Sequence, residues 1–398
     1  MGDSTTTPVF YYFIFNTHMQ HQKHLFDLSD NITYLNGAYM APQLKSVTEV
    51  GLATVIQKAK PNEITPEDFF TQRKVLKQRF ATLVNAPDYR NIAIIPSVSY
   101  GIANAANNVP IHPGDEIIVV DEQFPSNVYV WQEVAKKHNA SITVIKPPKS
   151  FKDRGALWNQ NILDTITKKT AVVAMPHVHW ADGTLFDLKA IRAKTEDVNA
   201  FLIIDGTQSV GALPFSVSEI KPDALICAGY KWLLGPYSTG VAYYSDAFNE
   251  GTPIEHNWMN RYNSEDFTGL TQYEDRYKEK AARYSVGESS NFVLTPMLIR
   301  ALEQLIEWSP EAIQEYCKTI STTAIQHLRN LGCFIEEDHY RAHHLFGIYL
   351  PDHIDLERLK TKLKEENIFI SFRGNAIRVS SNVYNSETDF DRLLAQFG

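Results

Sequence analysis

Two apolar runs in the middle of the chain end in groups capable of covalent chemistry. AFLIID finishes in Asp205, followed by GTQSVGA, and DALICAG runs into Tyr230-Lys231, followed by WLLGPYSTGVAYY. An acid and an amine at the ends of successive strands can face one ligand, because open α/β sheets bind at the carboxyl ends of their strands. A lysine desolvated there loses affinity for its proton and approaches the neutral amine that condenses with a carbonyl. An isolated Asp–Lys pair is more often an ion pair capping a sheet, so the surrounding motifs have to decide.

The run NIAIIP leads into Ser97-Val98-Ser99-Tyr100-Gly101 and then an Ala/Asn-rich helix. Amides and hydroxyls at such a strand–turn–helix junction suit a phosphate, although hydroxyls at a helix start are commonly plain N-caps. DEQFPSN brings Phe124, which could cover one face of a flat ring or simply pack in a core or interface. With Asp205 opposite a cationic ring nitrogen, the set fits pyridoxal phosphate acting as an electron sink.

The elements that must carry these residues are short apolar runs alternating with helical periodicity from about residue 90. The runs are Ile92–Ile95, Glu116–Val120, Ile142–Ile145, Ala171–Met175, Phe201–Ile204, Ala224–Cys227 and Val241–Tyr244. Continuous runs of this length suit strands buried on both faces, and so a mostly parallel sheet covered by helices. Residues 46–58 and 66–84 read as helices, as do 296–308 and 310–330. Beyond them 346–350, 368–372 and 376–379 read as strands, and 355–366 and 386–396 as helices. The expected architecture is α/β: a large unit over 23–295, to which 296–398 adds a smaller C-terminal α+β unit that the N-terminal helices help to build. Residues 1–22 read as an appended arm, its VFYYFIF run too short for a membrane span and without the basic start of a signal peptide.

Composition excludes more than it assigns. With 38 Lys+Arg against 46 Asp+Glu the net charge is −8 at pH 7, a poor match for a nucleic-acid partner. Three separated cysteines build neither a disulfide framework nor a CxxC motif, which suits a reducing cytoplasm. No metal site is expected, and no GxGxxG follows a strand, which sets a dinucleotide-binding dehydrogenase aside.

Taken together, DGTQSVGA followed by DALICAGYKWLLGP, with YLNGAYMAP (34–42) and IRVSSNVYNSETDFDRL (377–393), resembles the class V aminotransferase group of fold-type I pyridoxal-phosphate enzymes. That group includes cysteine desulfurases, kynureninases and isopenicillin N epimerases. The resemblance implies a seven-stranded fold-type I sheet, Lys231 as the Schiff-base lysine and Asp205 as partner of the pyridine nitrogen. It implies Val98 and Ser99 in the phosphate turn, Phe124 in the stacking position, Gln208 at the phenolic oxygen or phosphate, and Tyr230 as a further phosphate ligand. GESSNF (287–292) resembles a loop that reaches a neighbouring subunit's site, so Ser290 and Asn291 would complete the phosphate cup across a homodimer. Arg378 matches the arginine that grips the substrate α-carboxylate, a task suited to a planar guanidinium, and Arg373 could aid it. Trp180 stands where the family often has a small polar residue near the ring, which makes His177 and His179 acid/base candidates. Trp258, Asn260 and Arg261 are pocket candidates or interface residues.

One departure limits the function. Desulfurases carry a catalytic cysteine just before the carboxylate-binding arginine, and ISFRGNAIRVS has none. The resemblance then implies an enzyme acting on a small or aromatic α-amino acid through an external aldimine. Aminotransferase or β-eliminating C–S lyase stands ahead of an epimerase or kynureninase-like reaction. A non-catalytic pyridoxal-phosphate-binding regulatory or structural protein is the competing class. No membrane partner is expected.

Overall fold

The computed structural model describes residues 19–397; the apolar run near the N-terminus lies outside the described residues. His21 and Gln22, counted with the arm, are tied down: Gln22 N donates to the Val383 carbonyl (2.7 Å) and His21 Nε2 lies 3.0 Å from the Tyr384 carbonyl.

In chain order the strands are β1 (Thr33–Tyr34), β2 (Ile92–Ile95), β3 (Glu116–Val120), β4 (Ser141–Ile145), β5 (Thr170–Pro176), β6 (Phe201–Asp205), β7 (Ala224–Ala228), β8 (Gly240–Tyr244), β9 (Leu345–Tyr349), β10 (Ile368–Phe369), β11 (Ser371–Arg373) and β12 (Ala376–Ser380). Strands β2 to β8 form a seven-stranded sheet in the order β2-β8-β7-β6-β5-β3-β4, parallel except where β8 runs antiparallel to both its neighbours. Alternate residues feed two separate cores. Ile94, Val173, Ile204 and Leu225 pack on one face, and Ile95, Val172, Ile203 and Ile226 on the other. Burial on both faces is why these strands read as unbroken apolar runs.

The C-terminal part holds a three-stranded antiparallel sheet, β11-β12-β9, over a third core. Here the structure departs from the sequence reading, which ran one strand through residues 368–372. The segment instead changes partner at Ile370: β10 pairs in parallel with β1, and β11 pairs with β12. The N-terminal segment therefore joins this part of the fold through backbone hydrogen bonds, Thr33 N to Asn367 O and Leu35 N to Phe369 O.

Glycines hold the two halves of the site together. Gly211, in DGTQSVGA, has φ +104°, and a Cβ there would meet the Trp232 carbonyl oxygen at 2.2 Å. Only glycine lets the turn after Asp205 lie against the backbone that follows Lys231. Gly183 (φ +77°) does the same between the 177–184 hairpin and the Leu345 carbonyl of β9.

Candidate active site

β6 ends in Asp205, and Lys231 follows β7 after a short turn, so the parallel pairing of β6 with β7 brings the acid and the amine to one edge. They line a cavity of about 350 Å³ with Val98, Ser99, Phe124, Trp180, Gln208 and Tyr230. Both charged groups are buried, yet no ion pair joins them within 4 Å. The capping-pair alternative is thereby removed. Asp205 Oδ1 accepts from Thr207 N (3.0 Å), and the Thr207 side chain also acts on the carboxyl. Burial raises the Asp205 carboxyl above the ordinary carboxylate range, against the pull of Thr207 and Lys231. Burial pushes Lys231 down to about 8; Asp205 opposes this, and Arg378 and Arg373 add to it. Its Nζ lies 5.2 Å from the Phe124 ring centre and 5.5 Å from that of Tyr230.

One end of the cavity is built by the nine-residue helix Val98–Ala106. Ser97 caps it by accepting from Tyr100 N (3.3 Å), and the Ser97 and Ser99 hydroxyls lie 3.0 Å apart. The Val98 and Ser99 amides at this start have no backbone acceptor, as the first N–H groups of a helix do not. Free amides, hydroxyls and the positive end of the helix make a donor set for a dianion. A buried acid, a desolvated amine, an aromatic wall and this donor set fit pyridoxal phosphate.

Gln208 is engaged more fully than expected. Its Nε2 donates to the Ala38 carbonyl (3.2 Å) and its Oε1 accepts from Trp232 Nε1 (2.9 Å), so it also pins YLNGAYMAP to the site. Thr207, Val178, Thr239 and Ser126 line the cavity too. Sequence reasoning passed over them; Thr207, within DGTQSVGA, was the most findable.

Arg378 is buried in β12 and reaches Trp180, donating from Nη1 to the Trp180 carbonyl (2.9 Å) and from Nη2 to Ser371 Oγ (3.3 Å). Ser371 in turn donates to Asn36 Oδ1 (2.6 Å), a second tie to the N-terminal segment. Burial and then the repulsion of Arg373 lower Arg378 to about 9. Both guanidiniums lie over the Trp180 ring, Arg373 at 5.4 Å and Arg378 at 5.8 Å from its centre. Phe124 meets Trp180 edge-on at 5.5 Å.

Other candidates lie elsewhere. Ser290 and Asn291 line a neighbouring cavity of about 600 Å³ together with Trp258, and it shares Pro96, Ser238 and Thr239 with the Lys231 cavity. The Asn291 side chain accepts from the Val293 and Leu294 amides at the start of the helix Leu294–Trp308. Neither it, Ser290 nor Trp258 reaches the Lys231 cavity from within its own chain. His177 also falls outside. Pro176 and Val178 line the Lys231 cavity, but His177 between them lines a different one of about 810 Å³, because side chains alternate along extended backbone. His179 is buried with both ring nitrogens occupied, against Asp182 Oδ1 (3.2 Å) and the Asp121 carbonyl (3.1 Å). Asn260 is buried, bonded to Arg73 and to the Ser285 carbonyl, and Arg261 stacks on Tyr277. All four of these side chains serve the fold around the site or lie outside it.

The cysteines are buried and none lines the cavity. Burial pushes the Cys227 thiol far up, Cys317 to about 12 and Cys333 to about 11. No group of three or more His, Cys, Asp or Glu able to hold a metal ion occurs among the described residues, and none of their helices is long and apolar enough to cross a membrane.

Known proteins resemble this chain in sequence and in fold. An uncharacterized aminotransferase of Bacillus subtilis, YcbU, is 25% identical over 325 residues, covering 80% of this chain and 81% of that protein. A probable cysteine desulfurase of Halalkalibacterium halodurans is 31% identical over 194 residues, but the match spans only 48% of this chain and 43% of that protein. Among solved structures, the cystine C–S lyase C-DES in complex with its product cysteine persulfide shares the fold, with a TM-score of 0.80 at 20% identity over 92% of this chain and 97% of that one. The family model for class-V aminotransferases matches residues 66–393, well over half of the sequence. The chain belongs to the aminotransferase class-V family of pyridoxal-phosphate enzymes.

Proposed function

We propose that the protein is an aminotransferase or β-eliminating C–S lyase acting on an α-amino acid, with Lys231 as the covalent anchor of the cofactor. The observation that carries this reading is a buried amine and a buried acid facing one cavity without an ion pair between them, each with its proton affinity displaced by burial.

Bound in this cavity, pyridoxal phosphate supplies an electron sink for the bonding electrons of the substrate α-carbon. The chain's own groups supply the rest. Val98, Ser99 and Tyr230 would hold the phosphate, and Phe124 would cover the ring. Asp205, an anion once a cationic partner is opposite, keeps a proton on the ring nitrogen. Arg378, fixed by Trp180 and Ser371, orients the α-carboxylate. Lys231 exchanges its proton near neutral pH and so can take the α-proton and return it, as a general base and acid must.

Elimination is favoured over a persulfide-forming desulfurase, because every thiol is buried and held protonated. Homodimerisation and a cytoplasmic location belong to the same proposal. Leu52, Val55 and Ile56 leave an exposed apolar stripe on the helix Lys45–Lys58, and Ser290 and Asn291 lie in a cavity whose wall is shared with the site. Residues 296–398 form the smaller unit that carries the clamp.

Incubating the holoenzyme with a panel of amino acids separates the reactions. A keto acid with stoichiometric pyridoxamine phosphate means transamination, and ammonia with pyruvate or sulfide means elimination. No turnover with any of them, together with cofactor that survives Lys231→Ala unchanged, would leave only a binding protein.

A further inference from the structure

The clamp carries more positive charge than one α-carboxylate requires. Arg378 alone can hold a carboxylate through parallel N–H bonds. Arg373 nevertheless shares the Trp180 ring with it, and its repulsion adds to burial in lowering Arg378. Neither forms an ion pair with a carboxylate among the described residues. Arg373 spends Nη1 on the carbonyl of its neighbour Phe372 (2.8 Å), and the Nε groups of both arginines are buried with no partner. Like charges held together and left unsatisfied are costly unless a counter-charge arrives. Glu122 Oε2 lies 3.9 Å from where a Cβ on Gly374 would sit, at this same turn, and makes no ion pair with Arg373.

Resting on the function proposed above, we infer that Arg373 is a second anion seat, so that the preferred substrate is an amino acid whose side chain bears its own anionic group: a carboxylate, sulfinate or phosphate. Arg378 takes the α-carboxylate and Arg373 the distal anion, with the Trp180 ring as the common plate. Arg373 is a specificity residue here, distinct from an assistant to Arg378.

The test is binding, read by calorimetry on the holoenzyme with substrate-like acids that lack the amine: succinate and glutarate against propionate and butyrate. Diacids should bind about 10- to 100-fold more tightly than monoacids, the range expected for hydrogen bonds to a charged group. Arg373→Gln should bring that ratio close to one, and Arg378→Gln should weaken both classes. As a second readout, the kcat/KM ratio of aspartate or cysteine sulfinate to alanine should collapse in Arg373→Gln. A parent ratio near one, or a ratio that Arg373→Gln leaves intact, overturns the second seat. The equal loss of both acid classes in Arg373→Gln also overturns it and makes the two arginines one clamp. These outcomes are separate from the function itself: cofactor that is anchored on Lys231 beside a ratio near one sinks only the diacid, whereas cofactor that never anchors there sinks the function.

Discussion

Two charged clusters lie near Trp180, and they are built on opposite principles. In the first, Arg154 donates to Asp182 (2.7 Å), Glu336 (3.2 Å) and Thr184 (3.0 Å), while Asp182 also receives Tyr349 Oη (2.8 Å) and contacts His179. Burial alone would raise the Asp182 carboxyl, but His179 and Arg154 outweigh it and hold it well below the ordinary range. In the second, Lys231 and Asp205 line one cavity, Arg378 and Arg373 lie near enough to depress Lys231, and no ion pair joins the opposite charges. A buried charge with its partners supplied by the fold is architecture; one left without them is set for a ligand. The paired cluster joins the helix Arg154–Thr165, the 177–184 hairpin and β9, and thereby fixes the hairpin whose Trp180 carbonyl holds Arg378.

Substitutions should separate the two clusters. The largest expected effect is on catalysis: Asp205→Asn, which removes the charge opposite the ring nitrogen, should cut turnover by about 100-fold or more while the fold survives. Turnover close to that of the parent would remove Asp205 from the mechanism. Next comes stability. Asp182→Ala removes the carboxylate that Arg154, His179 and Tyr349 share and should cost about 3–5 kcal/mol in denaturant unfolding, whereas Arg378→Met should cost less than about 1 kcal/mol or stabilise the chain. If both lose the same amount, the clusters do not differ in kind.

A smaller effect is pH dependence. Lys231 in the cofactor-free chain is mostly protonated below about 8 and neutral above it. Capture of added pyridoxal phosphate should therefore accelerate as pH rises through that value and then level off. Acceleration continuing to pH ~10, the range of an ordinary lysine, would place the reacting amine at the surface. The smallest effect is expected from thiol modification. Iodoacetamide should leave turnover of the folded holoenzyme within about twofold of the untreated rate, since each cysteine is buried and protonated. Inactivation protected by substrate would restore a cysteine to the mechanism.

The sequence made the large sheet legible because both of its faces are buried, so its strands had no alternative pattern to show. Asp205 and Lys231 were legible for a related reason, as charges ending apolar runs. What escaped depends on contacts distant in the chain. The break at Ile370 follows from two different partners, β1 and β12, which local hydrophobicity does not encode. His177 and His179 looked equivalent in HVHWADGT, yet one turns to the opposite side of the strand and the other is enclosed by Asp182 and the Asp121 carbonyl. The second occupation of Gln208, by Trp232 and Ala38, likewise depends on the N-terminal segment folding back over the site.

The central claim is that the unpaired amine at the end of β7 is the cofactor's anchor. Reducing the holoenzyme with borohydride and mapping the modified peptide by mass spectrometry tests it directly. The account predicts one phosphopyridoxyl group per chain, carried by the peptide containing Lys231. The same label on any other lysine, or none in a chain that retains full activity, would contradict it.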